Sequence, residues 1–165
     1  MHPTISIRNI EEKDNPAMAQ IIRSTLKEFG ANRQGTVYYD STTDNLYEVF
    51  KTPGSVYYVA ECNGQLVGGG GIFPSVGLPP FTCELVKMYL LHNARGVGLG
   101  KLMIEKCLAF AKEWGYEQIY LETMPELKQA LKTYAKFGFR NIDKPLGNTG
   151  HFGCELWMLK DLYSS

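Results

Sequence analysis

The run Arg95-Gly96-Val97-Gly98-Leu99-Gly100-Lys101 is where this sequence first offers chemistry. The stretch before it, Glu84 to Leu91, is largely apolar and reads as a buried strand. After it, Leu99, Leu102, Met103, Cys107, Phe110, Ala111 and Trp114 recur at helical spacing. A strand that turns through glycines into a helix is a recurrent anion site. The first N–H groups of a helix lack partners within it, and the helix dipole adds partial positive charge. Glycines let the backbone approach a ligand and take left-handed angles. Arg95 and Lys101 add cations. The GxGxG spacing departs from the GxGxxG dinucleotide fingerprint. A P-loop needs glycine where Arg95 stands and Ser or Thr where Leu102 stands. Two readings remain: a phosphate-gripping loop, or a helix entry whose glycines serve only the turn. The loop by itself does not separate them.

A wider pattern bears on that choice. Arg95-x-x-Gly98-x-Gly100 resembles the [QR]xxGx[GA] motif of the GNAT superfamily of N-acetyltransferases. The similarity takes in the strand Glu84 to Leu91 and the segment Ala130-x-x-x-Tyr134-x-x-Phe137-Gly138-Phe139. Together these blocks run from Cys83 to Arg140. One position departs: family members often carry Asn seven residues before the tyrosine, and Leu127 stands there.

The resemblance implies acetyl-CoA as co-substrate and no metal. It places the pyrophosphate on Arg95, Gly96, Val97, Gly98, Leu99, Gly100 and Lys101. It places the pantetheine arm along Met88, Tyr89 and Leu90, in a gap between splayed fourth and fifth strands. The implied reaction is direct transfer of an acetyl group to a primary amine, of a small molecule or an amino acid. Glu84 matches a base and Tyr134 the acid that protonates the leaving thiolate. The need for a base is general: an alkylamine such as lysine, with a pKa near ~10.4, is mostly protonated at neutral pH.

Each candidate also has a plainer reading. Glu84 could be a strand-end carboxylate, solvated or paired with Lys87. Tyr134 lies on an apolar stripe and could be a core tyrosine. His151, in a late loop, could be a base, an acceptor contact or a surface histidine. Tyr38, Tyr39 and Asp40 lie where the family often binds its acceptor, or are loop packing. Cys83 beside Glu84 has no evident histidine partner for covalent catalysis. The glycines Gly68 to Gly71 precede no helix, which argues against a second phosphate site.

These residues need elements to hold them. Thr4 to Arg8 alternates as a strand. Asn15 is expected to cap a helix opening at Pro16, with Met18, Ile21, Ile22, Thr25, Leu26 and Phe29 on one face and Gly30 as its stop. A shorter helix is expected over Asp44 to Phe50. Val56 to Glu61, Asn63-Gly64 and Leu66 onward read as a hairpin. After the glycine loop and its helix, Ile119 to Leu121 is a short strand. Thr123 is expected to cap a helix starting at Pro125. Phe139 to Ile142 and Cys154 to Leu159 are the last strands. The fold class is α/β (α+β): a mixed, mostly antiparallel central sheet of about six to seven strands with helices on both faces.

The 165 residues are expected to form one domain, 1–165, with no repeat or linker. Seventeen basic and seventeen acidic side chains give zero formal charge, which argues against nucleic-acid and anionic-membrane binding. The four cysteines and the histidines His2, His92 and His151 are scattered, without zinc or disulfide spacing. No signal peptide pattern follows Met1, and no apolar run approaches the ~20 residues of a membrane span. A cytoplasmic setting follows from these. The expected partner is a small-molecule amine acceptor; oligomeric state stays open, a homodimer among the options. Competing classes are acetylation of a protein amine, a non-catalytic acyl-CoA-binding sensor or interaction domain, and a structural domain that binds no CoA.

Overall fold

A seven-stranded sheet organises the computed structural model, which describes residues 3–163; His2 lies outside them. The strands are β1 (Ile5–Asn9), β2 (Val56–Cys62), β3 (Gln65–Phe73), β4 (Thr82–Leu90), β5 (Gln118–Thr123), β6 (Arg140–Ile142) and β7 (Leu156–Asp161). Their spatial order is β1-β2-β3-β4-β5-β7-β6. Every pairing is antiparallel except β4 with β5. The longer helices are α1 (Asn15–Glu28), α3 (Leu99–Trp114) and α4 (Lys128–Lys136), and α2 (Leu46–Val49) is a single turn.

Helices cover both faces of the sheet because β2 is apolar on both. Val56, Tyr58 and Ala60 join the core under α3, with Met103, Ile104, Cys107 and Ala111. Tyr57 and Val59 point the other way, into a core with Met18, Ile22 and Leu26 of α1 and Leu46 of α2. The alternation follows from the period of two along a strand. The Asn63-Gly64 hairpin forms as expected, with both residues at positive φ.

Three local expectations are corrected. Asn15 is not a cap but the first residue of α1. Its side chain instead accepts from Tyr47 N–H at 2.9 Å and donates to Glu48, tying α1 to α2. The preceding Asp14 is held by Arg8 and by Glu11 N–H. Thr123 ends β5 rather than capping a helix, and α4 begins at Lys128, after a turn through Pro125. The helix expected over Asp44 to Phe50 is split between a 3-10 turn, Ser41–Asp44, and α2.

Two irregularities in β4 shape the site. Its parallel pairing with β5 covers only Thr82, Cys83 and Glu84, opposite Gln118, Ile119 and Tyr120. Beyond Glu84 the strands separate, which is the expected splay. On the other edge, Gly69 pairs with Tyr89 but Gly71 with Val86, so β4 carries a bulge opposite Gly70. Lys87 sits in that bulge at φ +51, and the Tyr57 hydroxyl donates to its carbonyl at 2.7 Å. The bulge resets the alternation. Cys83 and Leu85 share the α3-side core with Met88 and Leu90, while Tyr89 packs on the α1 side.

The glycine run lies in β3, beside this bulge. A Cβ at Gly68 would meet the Tyr89 carbonyl and Leu90, one at Gly70 the Met88 side chain, and one at Gly71 the Val56 carbonyl. These glycines serve close approach of strands, not phosphate.

Candidate active site

Where β4 and β5 part, a cavity of about 710 Å³ opens, within the usual size range for small-molecule sites. One end is bounded by the glycine loop and α3, the middle by Met88 to Leu90 and Tyr134, the far end by Glu84, Lys87, Glu122 and His151.

The loop end is an open cradle. Gly96 and Gly98 both take φ +82, and neither has an atom within 4 Å of where a Cβ would stand. Gly98 caps α3 with no side-chain hydrogen bond. The N–H groups from Gly96 to Lys101 have no acceptor among the described residues, and those of α3's first turn carry the positive end of a sixteen-residue helix. Gly96, Gly98, Gly100 and Lys101 line the cavity; the Val97 side chain is exposed and that of Leu99 is buried in the core. Arg95 lines the cavity too, with its guanidinium held within the fold. Its guanidinium donates twice to the Leu90 carbonyl, at 3.0 and 2.8 Å, pairs with Glu28 at 2.8 Å, and lies over the Phe29 ring. It therefore ties the end of β4 to α1.

Tyr134, on α4, is buried against Phe139 with its ring on the cavity wall. Its hydroxyl has no hydrogen-bond partner among the described residues. Burial pushes its pKa far above the ordinary value, so it holds its proton at neutral pH. Leu127, the N-cap residue of α4, also lines the cavity.

The far end is a charged cluster. Glu84 is buried and accepts from the Ser75 hydroxyl on Oε1; its Oε2 has no donor among the described residues. Burial, with the Glu122 charge adding to it, raises its pKa to about 7. Glu122 accepts from Tyr120 at 2.8 Å and Thr149 at 2.5 Å. His151 Nε2 lies 2.8 Å from Asp40, and Nδ1 lies 3.8 Å from Glu122. Asp40 also accepts from Thr42 N–H and hydroxyl. Burial alone would raise the Asp40 pKa, but the His151 hydrogen bond, the Lys87 charge and Thr42 together hold it well below the carboxylate range. Lys87 is buried, with Asp40 at 3.7 Å as its ion-pair partner; burial lowers its pKa against the pull of Asp40 and Glu84.

Of the residues named from sequence, Glu84, Tyr134, His151 and the loop thus meet around one cavity. Tyr38 and Tyr39 do not line it: they sit on a 3-10 turn, Val37–Tyr39, and Tyr39 is exposed. From that segment Val37 and Asp40 reach the site instead. Lys87 pairs with Asp40, not with Glu84 as its plainer reading had it. Glu122 went unnoticed in the sequence; a lone carboxylate on a short strand carries no spacing signal. Cys83 is buried, its thiol donating to the Gln118 carbonyl. Burial raises it far above the thiol range, unlike a nucleophile.

Similarity to known proteins can now be set beside this geometry. A family model described as acetyltransferase (GNAT) family matches residues 16–139. The protein named uncharacterized N-acetyltransferase YjgM, of Escherichia coli K12, is 43% identical over 157 residues, covering 94% of each chain. Among solved structures, a GNAT-family acetyltransferase from Staphylococcus aureus Mu50 superposes with a TM-score of 0.84 at 22% identity, over 96% of this chain and 99% of that one. The PaiA N-acetyltransferase of Thermoplasma acidophilum, solved with coenzyme A, has a TM-score of 0.74 at 18% identity, over 96% and 99%.

Proposed function

The chain belongs to the GNAT acetyltransferase family and is an acyl-CoA N-acyltransferase, and from that premise we propose that it moves an acetyl group from acetyl-CoA to a primary amine of a small molecule or amino acid, by direct transfer. One observation carries the reading. A buried acid with a free oxygen, Glu84, and a protonated phenol, Tyr134, face the same cavity on which an unpartnered helix N-terminus opens.

The cavity fits acetyl-CoA. Its loop offers unpartnered N–H groups to a pyrophosphate, and the separated edge of β4 offers backbone to a pantetheine arm at Met88, Tyr89 and Leu90. The Leu90 carbonyl is the exception, since Arg95 already occupies it. Bound acetyl-CoA supplies an activated acyl thioester. The Met88 amide is positioned by sequence order to polarise its carbonyl. Glu84 Oε2 takes the proton that the attacking amine must lose. With a pKa of about 7 it accepts a proton more readily than an ordinary carboxylate and is still ionised in slightly alkaline solution. The Tyr134 hydroxyl keeps a proton available for the leaving sulfur.

Thiol release, measured across a panel of primary amines, tests the proposal. Turnover on at least one amine, reduced ~10²-fold or more in Tyr134→Phe, is the expected result for loss of a general acid. CoA binding without turnover on any amine would make the protein a sensor instead. Full activity in Tyr134→Phe, with chemistry rate-limiting, would remove the tyrosine from the mechanism.

A further inference from the structure

The far end of the cavity holds two groups of opposite charge whose hydrogen bonding is incomplete. Among the described residues Glu84 Oε2 has no hydrogen-bond donor, and the Lys87 ammonium has Asp40 at 3.7 Å as its one ion-pair partner. Both side chains are buried. A buried ammonium normally finds acceptors for its three N–H donors. Here the nearest carboxylate, Asp40, stands at 3.7 Å, and its own oxygens are taken up by Thr42 and His151. The other acids of the cluster are also committed: Glu122 to Tyr120 and Thr149, and one oxygen of Glu84 to Ser75.

The β4 bulge sets this arrangement at a conformational cost. Lys87 takes φ +51, a left-handed conformation that is unfavourable for a residue other than glycine. An apolar side chain would suit a buried strand better, and a glycine would suit the bulge better. The bulge carries a lysine, and through it Lys87 reaches Asp40 and acts electrostatically on Glu84.

We infer that the acceptor is a free amino acid, whose carboxylate is bound by Lys87 while its amine faces Glu84. This rests on the acetyl-transfer reading above and narrows its substrate class. A carboxylate supplies further acceptors to the Lys87 ammonium, and a charge-assisted hydrogen bond to a buried group is strong. The amine comes to the free oxygen of Glu84, with Glu122 and His151 beside it. Of the like charges near the bound carboxylate, Asp40 is already held by His151 and Thr42, Glu122 by Tyr120 and Thr149, and Glu84 by Ser75 on one oxygen. An amine without a carboxylate would leave the buried Lys87 with Asp40 alone.

The test compares the standard amino acids with their decarboxylated amines and methyl esters, as acceptors for the wild type, Lys87→Met and Lys87→Arg. The wild type should favour the acid over both counterparts by tenfold or more in kcat/KM for at least one side chain. That ratio should fall at least tenfold in Lys87→Met, through KM, and recover in part in Lys87→Arg. A wild type that prefers the amines or esters overturns the inference and leaves acetyl transfer standing. So does a selectivity that survives in a folded Lys87→Met. No turnover on any amine, acid or not, overturns the acetyl-transfer reading itself. Should Lys87→Met fail to fold, the wild-type ratios decide the matter alone.

Discussion

The Glu84 carboxyl is raised from an ordinary value of 4.5 to about 7, first by burial and then by the Glu122 charge. The unfolded chain loses this proton near 4.5 and the folded protein near 7. Between those values the native state binds more protons, so the contribution to stability is fully present below about pH 4.5 and is lost as pH rises through 7. The shift corresponds to roughly 3 kcal/mol. Glu84→Gln keeps an acceptor for the Ser75 hydroxyl and removes the buried charge. Its melting temperature should exceed that of the wild type at pH 8 and converge on it near pH 4.5; an equal offset at both values would contradict the burial argument. Its acetyl transfer should fall ~10²-fold or more at pH 8, as expected for loss of a general base. The wild type should lose activity below about pH 7, and that limb should flatten in the variant. Glu84 and Tyr134 were legible because each stands at a fixed offset within a recognisable block. Glu122 was not, and the pairing of Lys87 with Asp40, though both residues had been named, was not either. These residues converge only through a bulge, a loop closure and a strand pairing, and none of these leaves a periodic trace.

At the scale of elements, the legible parts were those set by hydrophobic period or by strong turn residues: α1, α3, the Asn63-Gly64 hairpin and β4. Helix entries were misread because capping residues were spent on tertiary contacts. Asn15 bonds α2, and Thr123 is the last residue of a strand. The glycine loop gives an experiment that separates backbone strain from ligand contact. Gly98 takes φ +82 with nothing near its Cβ position, so Gly98→Ala meets a conformational cost alone, about 1–2 kcal/mol. Gly100, inside the first turn of α3, has no positive φ and finds only Leu90 at 3.5 Å. Gly100→Ala should therefore hold or raise the melting temperature, since alanine gains up to ~1 kcal/mol over glycine in a helix. Gly98→Ala should lower it and weaken CoA binding in calorimetry by about tenfold, because the free N–H groups lose their alignment. Equal effects of the two substitutions on melting temperature would show that the left-handed turn is not what the glycines secure.

At the scale of the molecule, the sheet is two antiparallel groups joined by little. β1 to β4 form one meander and β5, β7 and β6, in that spatial order, the other group, and three residue pairs, Thr82 to Glu84 with Gln118 to Tyr120, join them. Past those pairs the groups diverge, and the cavity fills the wedge with β4 on one side and β5 and α4 on the other. A ligand seated there touches both groups and adds a connection that the sheet lacks. CoA at a hundred times its Kd should stabilise the fold by ~2.7 kcal/mol. For a chain of this length that is a rise of about 5–10 °C in Tm, readable by thermal shift. The location of the gain is the sharper measurement. Hydrogen exchange should slow along residues 85–90 of β4 and residues 121–123 of β5 as well as in the loop from Gly96 to Lys101, while β1, at the far edge, stays as it was. Protection confined to the loop would mean that the ligand is held by its phosphates alone. Protection of both strands would mean that binding closes the wedge, so that Tyr134 on α4 and Glu84 on β4 are brought to their working separation by the substrate they act on.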